Sequence, residues 1–137
     1  MSHISQSTSK ITAVDTDTLA ATLRYVAKLQ NVEMTDYIKN YNGGTQKEWK
    51  GNKVLGALIA KDVPRGIGVS VDSNGKMIFI GDDYGYTTGY AKLKTAIEQG
   101  YREIAIAVTL KEMGYAVESL ESTNENIALY CAVRGEG

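Results

Sequence analysis

The residues best suited to chemistry lie in one short acidic segment that is rich in tyrosine. Residues 81–90 read Gly-Asp-Asp-Tyr-Gly-Tyr-Thr-Thr-Gly-Tyr and lie between an apolar run typical of a strand and the longest helical pattern of the sequence. Aromatic rings and carboxylates beside glycines make a surface that can stack on a ligand and accept its hydrogen bonds. Because the segment holds no nucleophile paired with a base, it indicates binding rather than bond breaking.

The two acidic residues of this segment, Asp82 and Asp83, leave two interpretations open. Closely spaced carboxylates can serve as general acid and base when the fold raises the pKa of one of them. Neighbouring residues on a strand point to opposite faces, however, which favours a strand that simply ends in a polar loop. In a binding site, either carboxylate would orient ligand hydroxyls or meet an arginine of a partner.

A second candidate surface is the glycine-punctuated segment 42–53, which is typical of an exposed loop or a hairpin tip. Three lysines surround the only tryptophan here: the residues are Lys47, Trp49, Lys50 and Lys53. Exposed glycine amides and lysine charges suit an anion, although the glycine-lysine-serine or threonine order of a nucleoside triphosphate loop is missing. Lys61 and Arg65 flank Pro64 and would extend this patch. The alternative is a solvated surface without a ligand.

Other kinds of site lack the residues they need. The chain has one histidine, His3, near its start, and one cysteine, Cys131, inside an apolar run. A Cys–His catalytic pair and a zinc ligand set are therefore without support, and Asp82-Asp83 alone offers too few oxygens for calcium. We expect no enzyme activity, no cofactor and no metal.

Length and charge limit the partners. A chain of 137 residues with 43% hydrophobic content fits a single domain over residues 1–137. A core of that size needs no disulfide or metal ion for stability. Its net charge of -1 gives no global field toward long nucleic acid or an anionic membrane. Without a signal-peptide pattern or a run long enough to span a bilayer, we expect a cytoplasmic protein.

Hydrophobic spacing predicts the elements that position these residues. In chain order they are a strand at 10–14, a helix at 16–30, strands at 54–60, 66–71 and 76–80, a helix at 92–113, and strands at 115–120 and 127–133. Asp15 is the expected N-cap of the first helix, and Asn74-Gly75 predicts a tight primed turn. Residues 32–41 stay open between strand and irregular edge, and Gly100 indicates a break or a close approach.

The balance of strands and helices predicts an α+β fold. The economical packing is a two-layer sandwich, in which a mostly antiparallel twisted sheet has both helices packed on one face. The other face must then be solvated or covered by another subunit. Nine tyrosines favour a homo-oligomer, because tyrosine provides a large contact area with a polar tip.

Both ends of the chain resemble a known family. The stretches concerned are Met1-Ser2-His3-Ile4-Ser5, the passage ending in Leu19, then Tyr101, Gly114-Tyr115, Val117, Ile127-Ala128-Leu129 and Val133-Arg134. In these stretches the chain resembles the uncharacterised domain family typified by hypothetical chloroplast reading frame thirty-five. The resemblance covers roughly the first 30 and last 45 residues, mainly core and turn positions, so it implies topology and transfers no catalytic residue. It also implies a small soluble domain without an established cofactor, whereas the centre, residues 32–90, departs from the family.

Two hypotheses follow for the function. The first is a non-catalytic, homo-oligomeric binding domain that captures or sequesters a small anionic ligand, such as a nucleotide, between subunits. Its stacking residues would be Trp49, Tyr84, Tyr86 and Tyr90, its cations Lys47, Lys50 and Lys53, and its hydroxyl acceptors Asp82 or Asp83. The second is a protein-interaction adaptor or assembly subunit, whose exposed sheet face and tyrosines bind another protein.

Overall fold

A five-stranded sheet and two helices dominate residues 3–114, which are the part of the chain that this computed structural model describes. The helices are α1 (Thr16–Gln30) and α2 (Thr87–Glu112). The strands are β1 (Ser5–Thr8), β2 (Glu33–Thr35), β3 (Ile38–Lys39), β4 (Thr45–Gln46), β5 (Glu48–Trp49), β6 (Asn52–Lys53), β7 (Gly56–Ala60), β8 (Val63–Val71) and β9 (Met77–Gly81). The sheet order is β1-β9-β8-β7-β2, with every neighbouring pair antiparallel. The predicted α+β class is confirmed.

Some sequence predictions fall beyond this part of the chain. The strands expected at 115–120 and 127–133, together with Cys131, lie outside the described residues. Within residues 3–114, neither helix has the length and apolar character that a membrane crossing requires.

Helix α1 begins and ends where its capping residues predict. The side chain of Asp15 accepts hydrogen bonds from the Thr18 amide at 2.8 Å and the Thr18 hydroxyl at 2.7 Å, and these bonds lower the pKa of Asp15. At the other end Asn31 adopts a left-handed conformation, with φ of 55°. Its amide donates to the carbonyls of Ala27 and Lys28, so the last turn of the helix is also satisfied.

Both helices pack on one face of the sheet, in the predicted two-layer arrangement. Among the buried side chains of this layer are Leu19 and Leu23 of α1, Ile97 and Ile104 of α2, and Leu58, Ile67 and Phe79 of the sheet. The helices meet at Gly100, where a Cβ atom would lie 2.8 Å from Cγ2 of Val26. Gly100 therefore permits a close approach of α1, and α2 continues through it without a break.

The opposite sheet face is covered by the chain itself, contrary to the expectation of solvent or a second subunit. Residues 36–55, which we call the cover segment, contain the two short ladders β3–β4 and β5–β6. Ile38 and Val54 of this segment are 0% and 3% exposed, and they pack on Ile78 and Ile80 of β9. The open sheet face on which the oligomer prediction partly rested is therefore absent from the described residues.

The first strand is β1, at residues 5–8, and the prediction of a strand at 10–14 is wrong. Ala13 has a φ of 53°, which interrupts any extended ladder there. The polar strand β1 forms instead because it pairs with β9 and because α2 supplies partners for its side chains. Lys94 Nζ donates to Ser7 Oγ at 3.0 Å, and Ser9, just after β1, donates its hydroxyl to Glu98 Oε2 at 2.6 Å.

The hairpin of β8 and β9 is confirmed, but its turn is not the primed turn that Asn74-Gly75 predicts. Gly75 has a φ of 81°, whereas Asn74 is not among the residues with positive φ. The loop spans Asp72 to Lys76, and within it the Gly75 amide donates to the Asp72 carbonyl at 3.0 Å. The Asp72 carboxylate also accepts from the amides of Asn74 and Lys76, at 2.8 and 2.9 Å, which stabilises the wider loop.

Replacing Leu23 by alanine should reveal how much of the stability comes from the helix-facing core. Leu23 is 1% exposed, so Leu23→Ala should lower the free energy of unfolding by about 2–5 kcal/mol. Leu29→Ala in the same helix removes a side chain that is 44% exposed, and should change it by less than about 1 kcal/mol. Urea denaturation followed by circular dichroism measures both, and equal losses would contradict the assigned burial.

Candidate functional site

The tyrosine loop, residues 81–90, connects β9 to α2, and an ion pair fixes its first half. Asp82 is buried, and its Oδ2 lies 3.8 Å from Nε of Arg65 in β8. The same carboxylate accepts the Tyr84 amide at 3.1 Å, while Nη1 of Arg65 donates to the Tyr84 carbonyl at 3.1 Å. Asp82 and Arg65 therefore hold the loop in place, and the carboxylate of Asp82 faces inward.

Tyr90 supports the loop from below. Its side chain belongs to the helix-facing core and is 9% exposed. A Cβ atom at Gly81 would lie 3.0 Å from the Tyr90 hydroxyl and 2.8 Å from the Gly66 carbonyl, so only glycine fits here. Burial, with a smaller contribution from the charge of Asp83, raises the pKa of Tyr90. The structure thus places this predicted stacking residue in the core.

The other two tyrosines of the loop face outward. Tyr84 is 56% exposed and Tyr86 is 41% exposed. Half-buried Asp83 lies between the buried and exposed parts of the loop, and its carbonyl accepts the Tyr86 amide at 2.8 Å. Two exposed rings on a loop with fixed backbone bonds are available for contact at a small cost in conformational entropy.

A depression of about 350 Å³ lies at the start of α2. Its lining consists of Asp62, Gly85, Tyr86, Thr87, Thr88, Gly89 and Lys92. Tyr86 is the N-cap of α2 and makes no side-chain capping hydrogen bond. The depression thus combines one ammonium group, one carboxylate, two threonine hydroxyls and a tyrosine phenol with the electropositive end of a helix.

The turn between β7 and β8 forms one wall of this depression. A Cβ atom at Gly89 would lie 2.5 Å from the Asp62 carbonyl oxygen and 2.9 Å from its Oδ2. The glycine therefore allows the turn to rest directly on the first turn of α2. Asp62 and Lys92 are both exposed in this arrangement.

The basic residues predicted as part of the same site lie on a different part of the molecule. Trp49 is half-buried and packs against the cluster under the cover segment, on the sheet face opposite Tyr90. Lys50 Nζ lies 5.5 Å from the centroid of its ring. Lys47 pairs with Asp36 at 3.5 Å, and Lys53 is exposed opposite Glu48 in the β5–β6 ladder. The lining of the depression includes none of these basic-segment residues.

Sequence reasoning located the loop but missed Asp62 and Lys92. The hydrophobic spacing predicts a helix that begins at Lys92, whereas α2 begins at Thr87, so the sequence gives no sign that Lys92 faces a depression at the helix start. Two threonines before a helical pattern are a start signal that could have moved this boundary. Asp62 carries no comparable signal, because its proximity to Gly89 depends on tertiary packing.

Within residues 3–114, no group of three or more histidine, cysteine, aspartate or glutamate side chains is arranged to hold a metal ion. The chain matches no protein-family model, no curated protein and no solved structure. The resemblance to the family typified by hypothetical chloroplast reading frame thirty-five therefore stays a prediction, and any functional argument depends on the geometry.

The raised pKa of Tyr90 predicts a specific loss of stability in alkali. Because the folded protein keeps the Tyr90 proton after the unfolded chain releases it near pH 10.0, the stabilisation is complete below that pH. Above it, the free energy of unfolding should fall, by up to about 1.4 kcal/mol per pH unit from this group. Tyr90→Phe should lack this part of the decrease in urea denaturation between about pH 9 and pH 11.

The matched control is Tyr86→Phe, which removes an exposed hydroxyl from the same loop and should keep the wild-type decrease. If Tyr90→Phe and the wild type lose stability equally over this range, burial of the Tyr90 hydroxyl is not the cause.

Proposed function

We propose that this protein is a non-catalytic binding domain that captures a small anionic ligand in the depression at the start of α2. The observation that carries the proposal is the lining itself, in which Tyr86 and Lys92 share one concave surface with a helix N-terminus that has no side-chain cap. Backbone amides at such a terminus favour phosphate or carboxylate groups, and the ammonium group adds charge of the right sign.

The lining also limits the class of ligand. Asp62 would repel a purely anionic ligand, but it accepts hydrogen bonds from hydroxyl or amino groups. Thr87 and Thr88 add hydroxyls beside it. A volume of about 350 Å³ lies at the small end of the range for ligand sites. A small molecule with one anionic group, hydroxyls and a planar ring that stacks on Tyr86 fits these features, and a nucleotide is such a molecule.

Self-association is part of this proposal. Tyr84 and Tyr86 are exposed beside the depression, so the loop of a second subunit could cover a bound ligand. The cover segment makes the sheet face a poorer candidate for the contact, because its buried side chains already lie within one chain. Light scattering with and without ligand distinguishes a constitutive oligomer from one that the ligand induces.

Calorimetric titration with nucleotides, cyclic nucleotides and sugar phosphates tests the ligand. At least one of these should bind, and Lys92→Ala should raise its Kd by about tenfold or more, since a hydrogen bond to a charged group contributes about 1.5–3 kcal/mol. Tyr86→Ser should weaken binding similarly through lost stacking.

Lys50→Ala is the control for this titration, because it removes a lysine that lies over Trp49, outside the lining of the depression. No heat with any compound, or equal weakening by Lys50→Ala and Lys92→Ala, would refute the proposed site.

A second candidate function is a protein-interaction adaptor, and Tyr84 is the observation that favours it. Its ring is 56% exposed and is not part of the depression, while Arg65 and Asp82 fix its backbone. An aromatic side chain on a preorganised loop is a typical anchor of a protein interface.

The adaptor function predicts that a partner retained by the immobilised protein is lost with Tyr84→Ser. Tyr41→Ser, which alters a tyrosine that is 68% exposed in the cover segment, should retain it. Quantitative mass spectrometry of the two eluates measures the difference. Equal retention by both variants would exclude Tyr84 as the anchor.

A further inference from the structure

The sequence contains two Asn-Gly steps, Asn42-Gly43 and Asn74-Gly75. At such a step the backbone nitrogen of glycine can attack the side-chain carbonyl carbon of asparagine, because glycine has no side chain to hinder the approach and its backbone adapts easily. A carbon–nitrogen bond forms, the bond to the side-chain amide nitrogen breaks, and ammonia leaves. Water then opens the resulting succinimide to aspartate or isoaspartate, so water is the only co-reactant.

The fold restrains the second of these steps on several sides. The Gly75 amide donates to the Asp72 carbonyl, and the Gly75 carbonyl accepts the Val14 amide, each at 3.0 Å. Backbone atoms of Ala13 would lie 3.5 and 3.6 Å from a Cβ on Gly75. The carboxylate of Asp72 accepts the amides of the residues on both sides, Asn74 and Lys76. Its negative charge opposes removal of the amide proton of Gly75. The fold thus hinders both the movement of the Gly75 nitrogen toward the Asn74 side chain and the loss of the Gly75 amide proton.

The first step has a similar local turn, with the Asn40 amide donating to the Gly44 carbonyl at 2.9 Å, but it has fewer contacts with other segments of the chain. Asn42 and Gly43 are exposed in the connection between the two-residue strands β3 and β4. The Gly43 amide donates to the Asn40 carbonyl at 3.0 Å, but within residues 3–114 no atom outside residues 42–44 lies within 4 Å of a Cβ on Gly43. The side chain that holds this loop is the neutral amide of Asn40, whose Oδ1 accepts the amides of Asn42 and Gly44 at 3.3 and 3.0 Å. The amides beside the attacking nitrogen therefore bond to a neutral group, whereas those beside Gly75 bond to a carboxylate.

We infer that Asn42 is a site of spontaneous deamidation in the folded protein and that the β8–β9 hairpin protects Asn74. The product carries one additional negative charge in the connection between β3 and β4 of the cover segment. An isoaspartate also lengthens the backbone by one carbon, which breaks the bond from Gly43 to Asn40. The ladder β3–β4 is thereby loosened, and Ile38 of β3 is a buried anchor of the cover segment. Deamidation at Asn42 thus changes the cover segment as the protein ages.

Peptide mapping by mass spectrometry tests this inference. Folded protein is incubated at mildly alkaline pH, and the modified fraction at each step is followed with time. Asn42 should react faster than Asn74 by about fivefold or more, the rate ratio for a difference of about 1 kcal/mol, the scale of one hydrogen bond. In protein unfolded by urea the two rates should converge, because both steps are Asn-Gly and the fold no longer restrains either of them.

The control variant is Asn42→Gln, which replaces an exposed loop residue and should abolish the shift toward negative charge in isoelectric focusing. Asn74→Gln should leave that shift unchanged. Equal rates at the two steps in the folded protein, faster reaction at Asn74, or a ratio that persists in urea would overturn the inference.

Discussion

The architecture depends on one constraint, which is that the central strands of the sheet are apolar on both faces. Alternate residues of β9 face opposite sides, with Phe79 directed to the helices and Ile78 and Ile80 to the cover segment. A short chain must therefore supply two covers. The helices provide one and the insertion between β2 and β7 provides the other. The tyrosine loop arises because the chain must pass from the sheet to the helical layer at the end of β9.

The sequence was most informative where local and tertiary preferences agree. In α1, the Asp15 cap and the stripe containing Leu19 and Leu23 select the same bounds that packing on the sheet requires. The hairpin of β8 and β9 was likewise predictable, because its apolar runs are long. Its turn type was not, since the hydrogen bonds of the Asp72 carboxylate favour a wider loop. The strand β1 was missed because its stabilising partners, Lys94 and Glu98, are remote in the sequence.

The candidate site shows the same division between local and remote information. Composition alone drew attention to the tyrosine loop, but it could not tell which side chains face solvent. That outcome depends on Arg65, which turns Asp82 inward, and on the small residue Gly81, which admits the ring of Tyr90. The basic segment has a comparable composition, yet packing of Trp49 on the second sheet face places it apart from the depression. Residue type predicted the kinds of contact, and tertiary packing decided which residues share a surface.

The pairing of β1 with β9 has a kinetic consequence. Strands β7, β8 and β9 are consecutive, so their ladders close over short stretches of chain, whereas Ser5 pairs with Gly81 from far along the sequence. Closing so large a loop is entropically slow until the partner edge exists. During synthesis the N-terminal strand therefore emerges long before its partner and must wait in an unpaired state. The sequence of β1, Ser-Gln-Ser-Thr, is polar. A hydrophilic segment that is still unpaired is a poor template for aggregation.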